Sequence, residues 1–252
     1  MKVYALTCGW LSASIGNFLE GERGRIRVPV PCFLIDHPLG KVLFDSGMHV
    51  ETQRDPRARL GDRIAEHYSV EFRPGEEVGA RLAALGVDVG EIRYLVQSHL
   101  HFDHCGGNEQ IPNATVVVQR REWQAGRDPD VRAAVGYNPR DYDLGHEVLA
   151  VDGEHDLFGD GRVLCIPTHG HTPGHQSLLL RTEDGTLVAA ADACYLRRTL
   201  EMMHLPPVVH DRTKMLESLR RLAVLRDDGA RILFGHDPDL WGSLPHPPLR
   251  VA

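Results

Sequence analysis

Three histidines and an aspartate fall within six residues in the stretch His99-Leu100-His101-Phe102-Asp103-His104. Imidazole nitrogen and carboxylate oxygen are the donors that zinc and related first-row metals accept. The stretch follows an apolar, β-prone run at 94–97, which reads as a buried strand. It runs into Gly106-Gly107, which supply backbone freedom for a loop that folds back around an ion. In an extended segment His99, His101 and Asp103 point one way and His104 breaks toward a second position, so one loop could serve two adjacent metal ions. The bland reading is a polar loop in which histidines cluster by chance. It fits this spacing after a strand poorly.

Most of the chain reads as scaffold for that loop. Residues 2–7, 27–35 and 41–44 read as strands, the last two joined by a turn at Pro38-Leu39-Gly40. Residues 9–25 read as a polar loop with isolated apolar residues (Trp10, Leu11, Phe18, Leu19). It is either a lid over an apolar ligand or, the preferred reading, a covered loop. Residues 49–74 are polar and charged with a short helix at 58–67, and read as an insertion that forms a substrate wall or a dimer contact. A helix at 75–85 has Glu76 and Glu77 in its first turn, Val78, Leu82 and Leu85 on one face, and Gly86 just past its end. After the metal loop, 115–118 is a strand and 120–135 is helical, broken by Gly126 and Pro129. Strands follow at 147–151, 161–166, 177–181 and 186–191, with Asp184-Gly185 turning the last pair. Residues 211–226 form an amphipathic helix whose stripe of Met215, Leu216, Leu219, Leu222 and Ala223 belongs to the core, and 231–234 form a final strand. The Pro-rich tail reads as an extended strap. With no repeat and no low-complexity linker, residues 1–252 read as one domain.

Composition narrows the class. A chain of 252 residues has ample core, and a formal net charge of -7 gives no electrostatic case for nucleic-acid binding. The basic pairs Arg120-Arg121 and Arg197-Arg198 read as solvated surface. Five scattered cysteines (Cys8, Cys32, Cys105, Cys165, Cys194) without a Cys-x-x-Cys pair argue against a disulfide framework and for a reducing, cytoplasmic compartment. No apolar run is long enough to span a bilayer, and MKVYALTCGW lacks the apolar core of a signal peptide, so no membrane association is expected.

H-x-H-x-D-H after a strand resembles the metal signature of the metallo-β-lactamase superfamily. The resemblance implies an α/β fold, an αββα sandwich of two mixed β-sheets flanked by helices, with ligands on loops at one edge. Three further strand ends match it in order. The stretch from Thr168 to His175, THGHTPGH, resembles T-P-G-H-T-x-G-H, whose first His is the ligand. That alignment makes His171 the ligand and His175 a group that orients a loop or a ligand; His169, standing where Pro is usual, is a rival. Asp192 follows an apolar strand and alone would read as a cap or loop residue, but its place between His171 and His236 matches the superfamily's bridging aspartate. His236 falls where the last ligand lies. The implied site holds two divalent metal ions, one on His99, His101 and His171, the other on Asp103, His104 and His236, with Asp192 between them. Zn2+ is the default for this donor set, with Co2+, Mn2+ or Fe2+ as alternatives.

Phe102 within HLHFDHCGG, Tyr195 three residues beyond Asp192, and Phe234-Gly235-His236-Asp237 are together similar to the N-acyl-homoserine lactonases, the quorum-quenching branch. The segments VPVPCFLI at 28–35 and FDSGM at 44–48 are similar as well. The resemblance implies that a hydroxide shared by the two metals opens the lactone ring, that Tyr195 helps hold the developing oxyanion, and that Asp103 carries a proton to the leaving ring oxygen. An ordinary loop aromatic is the bland alternative for Tyr195. No Ser or Cys nucleophile is required, and Cys105 and Cys194 read as small buried side chains. Rival readings in the same class are another small lactone, or a thioester as in the glyoxalase II branch; Tyr195 and the lack of an evident basic C-terminal substrate-binding domain weigh against the thioesterase. An iron redox enzyme of the superfamily is disfavoured by the complete ligand set and by the lack of an appended flavin or rubredoxin-like domain. A non-enzymatic binding protein usually goes with lost ligands. The expected partners are a small-molecule lactone and a second copy in a homodimer.

Overall fold

A computed structural model of the protein describes residues 1–244, and Leu249–Arg250 as backbone. The chain opens with an antiparallel meander, β1 (Lys2–Ser14), β2 (Arg25–His37) and β3 (Gly40–Phe44). Helices α1 (Pro56–Leu60) and α2 (Asp62–His67) lead to β4 (Tyr68–Glu71), which pairs with the distal half of β1. Then come α3 (Val78–Ala84), β5 (Ile92–Val96), the single helical turn α4 (Phe102–Cys105), β6 (Thr115–Gln119), α5 (Arg120–Arg127), α6 (Pro129–Val135) and β7 (Val148–Val151). Strands β3, β5, β6 and β7 run parallel, so the first sheet is mixed.

The second sheet is built from β8 (His155–Asp156), β9 (Val163–Pro167), β10 (Gln176–Thr182) and β11 (Gly185–Ala191). It continues after α7 (Arg197–Met202) and α8 (Arg212–Asp227) with β12 (Arg231–Phe234), which pairs in parallel with β11. Helix α9 (Pro238–Ser243) follows, and β13 (Leu249–Arg250) returns to the first sheet beside β1.

Period-2 alternation explains the layering. Val96 and Val117 point toward the second sheet, in one core with Val163, Leu178, Leu180 and Val188 and with Met215, Leu219 and Leu222 of α8. Their neighbours Leu95, Val116 and Val118 point the other way and pack with Val78 and Leu82 of α3. Strands buried on both faces carry no polar side, which is why β5 and β6 are near-continuous apolar runs. The order helix, sheet, sheet, helix is the αββα sandwich expected.

Several sequence expectations are corrected. The predicted loop at 9–25 is strand as far as Ser14: β1 passes a bulge between Thr7 and Trp10, where Gly9 takes φ +98°, and pairs on with β2 and β4. The helix expected at 58–67 is two, because Gly61 (φ +82°) ends α1 and precedes α2. In α3 the cap is Glu77, so Glu76 and Glu77 precede the first turn rather than occupy it. The break in 120–135 falls at Asp128, which caps α6 ahead of Pro129, while Gly126 stays inside α5. Strands β4 and β8 and helices α4, α7 and α9 have no counterpart among the sequence expectations. The extended strap expected of the tail falls chiefly on residues 245–248 and 251–252, which lie outside the described residues.

Candidate metal centre

The loops at the ends of β5, β9, β11 and β12 converge on one point between the two sheets. The His99 loop is not extended throughout. His101 lies on extended backbone and caps α4, and that turn carries Asp103 and His104 around to a second position. Gly106 and Gly107 are not there for backbone freedom, since their φ values, −61° and −87°, suit any residue. They are there for space: a Cβ would meet the Phe102 carbonyl and the His49 amide at Gly106, and the Ser46 carbonyl at Gly107.

Ligand atoms of His99, His101, His171 and Asp192 lie within 4.8 Å of one another, as do those of Asp103, His104 and His236. Asp192 joins the groups. Its Oδ2 is 3.6 Å from His99 Nε2 and 3.3 Å from His171 Nε2, while its Oδ1 is 3.2 Å from His104 Nε2 and 3.1 Å from His236 Nε2. Asp103 Oδ2 stands 3.8 Å from His104 Nε2 and 3.7 Å from His236 Nε2. His169 is elsewhere, with Nδ1 on the His175 carbonyl. His175 is buried behind His99, ring centroids 5.2 Å apart, with Nδ1 on Thr168 Oγ1.

The outer contacts of the rings decide which nitrogens are bare. A carbonyl only accepts, so His101 Nε2 must donate to Val135 and His236 Nδ1 to Pro29. The Asp45 carboxylate accepts from His104 Nδ1 at 2.9 Å and from Ser98 Oγ at 2.8 Å, which leaves Ser98 Oγ to accept from His99 Nδ1. The inward nitrogens of neutral rings are therefore lone pairs, and they face two carboxylates. His99 Nε2 and His171 Nε2 lie 2.9 Å and 3.0 Å from His101 Nδ1, and His104 Nε2 and Asp192 Oδ1 are buried without hydrogen-bond partners. Such a donor-poor convergence fits bound cations.

Burial pushes His99 and His171 well below the ordinary imidazole range. Burial also opposes charge on His104, but Asp192 and Asp103 outweigh it and raise that ring well above the range.

Sequence reading missed two buried carboxylates. Glu122 is taken up below. Asp45 stands at the end of β3 with φ +59°, a conformation most residues avoid. It orients a ring in each group, His104 directly and His99 through Ser98. Asp45→Ala is expected to weaken metal binding about 10–100-fold, measured by competition with a chelator.

Above the centre opens a cleft of about 450 Å³. Apolar walls come from Leu11, Phe18, Ile64, Phe102, Val135 and Val209, and the 49–74 segment contributes Arg63, Ile64, His67 and Tyr68. Tyr195 is buried at its floor, its hydroxyl 3.2 Å from His171 Nδ1 and its ring edge-on to Phe18.

The sequence pattern of the metallo-beta-lactamase superfamily matches residues 25–236, a span that takes in every residue of both groups. This chain belongs to the metallo-beta-lactamase superfamily. Within that superfamily it is similar to the N-acyl homoserine lactonase AttM of Azorhizobium caulinodans, 37% identical over 98% of this chain and 97% of the relative. It is 36% identical to AttM of Agrobacterium fabrum with the same coverage. In three dimensions it matches a solved N-acyl homoserine lactone hydrolase with the product N-hexanoyl-L-homoserine at its catalytic metal center, at TM-score 0.89 and 26% identity over 99% of this chain and 98% of that one.

Proposed function

We propose that this chain is a metal-dependent hydrolase that opens the lactone ring of N-acyl homoserine lactones. The observation that carries the proposal is the division of the Asp192 oxygens between two groups of buried ligands, at the floor of an apolar cleft and beside the Tyr195 hydroxyl. The lactonase relatives, matched over nearly the full length, support the substrate class.

In this reading His99, His101 and His171 would hold one divalent cation and Asp103, His104 and His236 the other, with Asp192 placed to serve both groups. Bound there, the two ions would supply Lewis acidity and make water a nucleophile near neutral pH. The chain's own groups do the rest. His171, held through Nε2, donates from Nδ1 to the Tyr195 oxygen, which frees the phenolic O–H to donate to the lactone carbonyl as charge develops on it. Burial, reinforced by Asp192, raises the Tyr195 pKa well above the ordinary phenol range, so it remains a donor. Asp103 lines the cleft and takes the proton released as water adds to the carbonyl carbon. It returns that proton to the ring oxygen as the C–O bond breaks, so one water is consumed and a hydroxy acid leaves. The apolar walls accept the acyl chain and keep bulk water from the reacting atoms.

Tyr195→Phe tests the assignment of the donor. The expected result is a kcat lowered by about 10²-fold with KM little changed and both metals retained, read from steady-state kinetics and metal content. An unchanged kcat would remove Tyr195 from the reaction.

Zn2+ is the cation we propose, on the strength of the nitrogen and carboxylate donors. Five free, buried cysteines support a reducing, cytoplasmic setting, and among the described residues no helix is long and apolar enough to cross a membrane. We also propose a single domain over residues 1–252 with an insertion at 49–74, and a homodimer. A single monomer mass over a wide concentration range in light scattering would count against the dimer.

A further inference from the structure

Glu122, in α5, is fully buried, and among the described residues no cation pairs with it. A lone carboxylate in such a place is costly unless donors surround it. Four do. Leu100 N donates to Oε1 at 3.1 Å and the Tyr137 hydroxyl donates to the same oxygen. Thr172 Oγ1 and Gly174 N donate to Oε2 at 3.0 Å and 2.8 Å.

The origin of those donors matters more than their number. Leu100 lies between His99 and His101. Thr172 adjoins His171, and Gly174 packs so closely on the Glu122 backbone that a Cβ there would collide with it. Tyr137 stacks edge-on to His101 and lies two residues beyond Val135, whose carbonyl fixes that ring. One carboxylate is thus bonded to both loops that present His99, His101 and His171, and to the segment that fixes the His101 ring. It makes no hydrogen bond to Asp103, His104 or His236. An amide cannot replace it. Two of the donors are backbone N–H groups, one at each oxygen, and they cannot reverse; glutamine would set its NH2 against one of them.

We infer that Glu122 is a positioning residue that sets the spacing of His99, His101 and His171, and so governs metal affinity at that group alone. The inference rests on the metal assignment proposed above. It is tested by loading the full chain with Co2+ and titrating with a chelator while counting bound metal and recording the visible spectrum. His171→Ala and His236→Ala serve as references for loss of one group or the other. Unaltered protein should hold two equivalents. Glu122→Gln should give up one of them at about 10–100-fold lower chelator, leaving a spectrum like that of His171→Ala. Thr172→Val, which removes one donor and keeps the carboxylate, should shift the same equivalent by less, and it decides the matter if Glu122→Gln fails to fold. Equal weakening of both equivalents, weakening of the His236 group, or no weakening in either variant overturns the inference. Fewer than two equivalents in the unaltered protein overturns the metal assignment instead, so the two failures are distinguishable.

Discussion

Asp192→Ala is expected to lower kcat/KM for a homoserine lactone by at least about 10³-fold, the scale on which loss of a group stabilising charge at a reacting centre is felt. The reason is geometric. Both Asp192 oxygens are in use, one on each side of the site, and Asp103, the other carboxylate near His104 and His236, lies farther from both rings. Metal content should fall with activity. Excess metal should restore little, because His104 and His236 would have lost the carboxylate nearest their inward nitrogens. Steady-state kinetics together with metal analysis of dialysed protein provides the check. Retention of two metals with activity within tenfold of the original would show that the two groups do not depend on a shared carboxylate.

The second large effect belongs to Asp103. Asp103→Asn keeps an oxygen toward His104 and His236 but cannot take up a proton, so kcat on lactones should fall by about 10²–10⁴-fold, the usual contribution of a positioned acid or base. A nitrophenyl ester separates the two roles, since its leaving oxygen needs no proton. The expected result is a much smaller loss on the ester than on the lactone, at equal metal content. Equal losses on both would reduce Asp103 to a ligand.

How legible the site was in the sequence depends on how local each part is. The stretch from His99 to His104 is legible directly, because one strand end and one turn carry four of the converging side chains within six residues. His171, Asp192 and His236 lie at three other strand ends; the motif from Thr168 to His175 singles out His171, and only their order along the chain singles out Asp192 and His236. No sequence signal assigns the residues that hold the rings to that role. Val135 and Pro29 act through backbone carbonyls, and Asp45 and Glu122 meet their partners only after the sheet and α5 are assembled. A local trace of Asp45 does exist, in the FDSGM segment at 44–48 that resembles the lactonases, but nothing in that segment points to His104 or Ser98 as its partners. The layers of the fold were legible where alternation and continuous apolar runs were strong. They were misread at β1, where the bulge at Gly9 interrupts the period, and at α4, too short a helix to show a period of its own.

Proton release is the measurement that tests the central claim most directly. Metal-loaded protein in weak buffer would be given a panel of homoserine lactones from short to long acyl chain, with His101→Ala alongside and the product's mass recorded. The account predicts one proton per lactone opened, a product heavier by one water, and loss of turnover in His101→Ala. No turnover across the panel, with two metals confirmed bound, would contradict the lactonase assignment; simple lactones and glutathione thioesters would then be the substrates to try on the same centre.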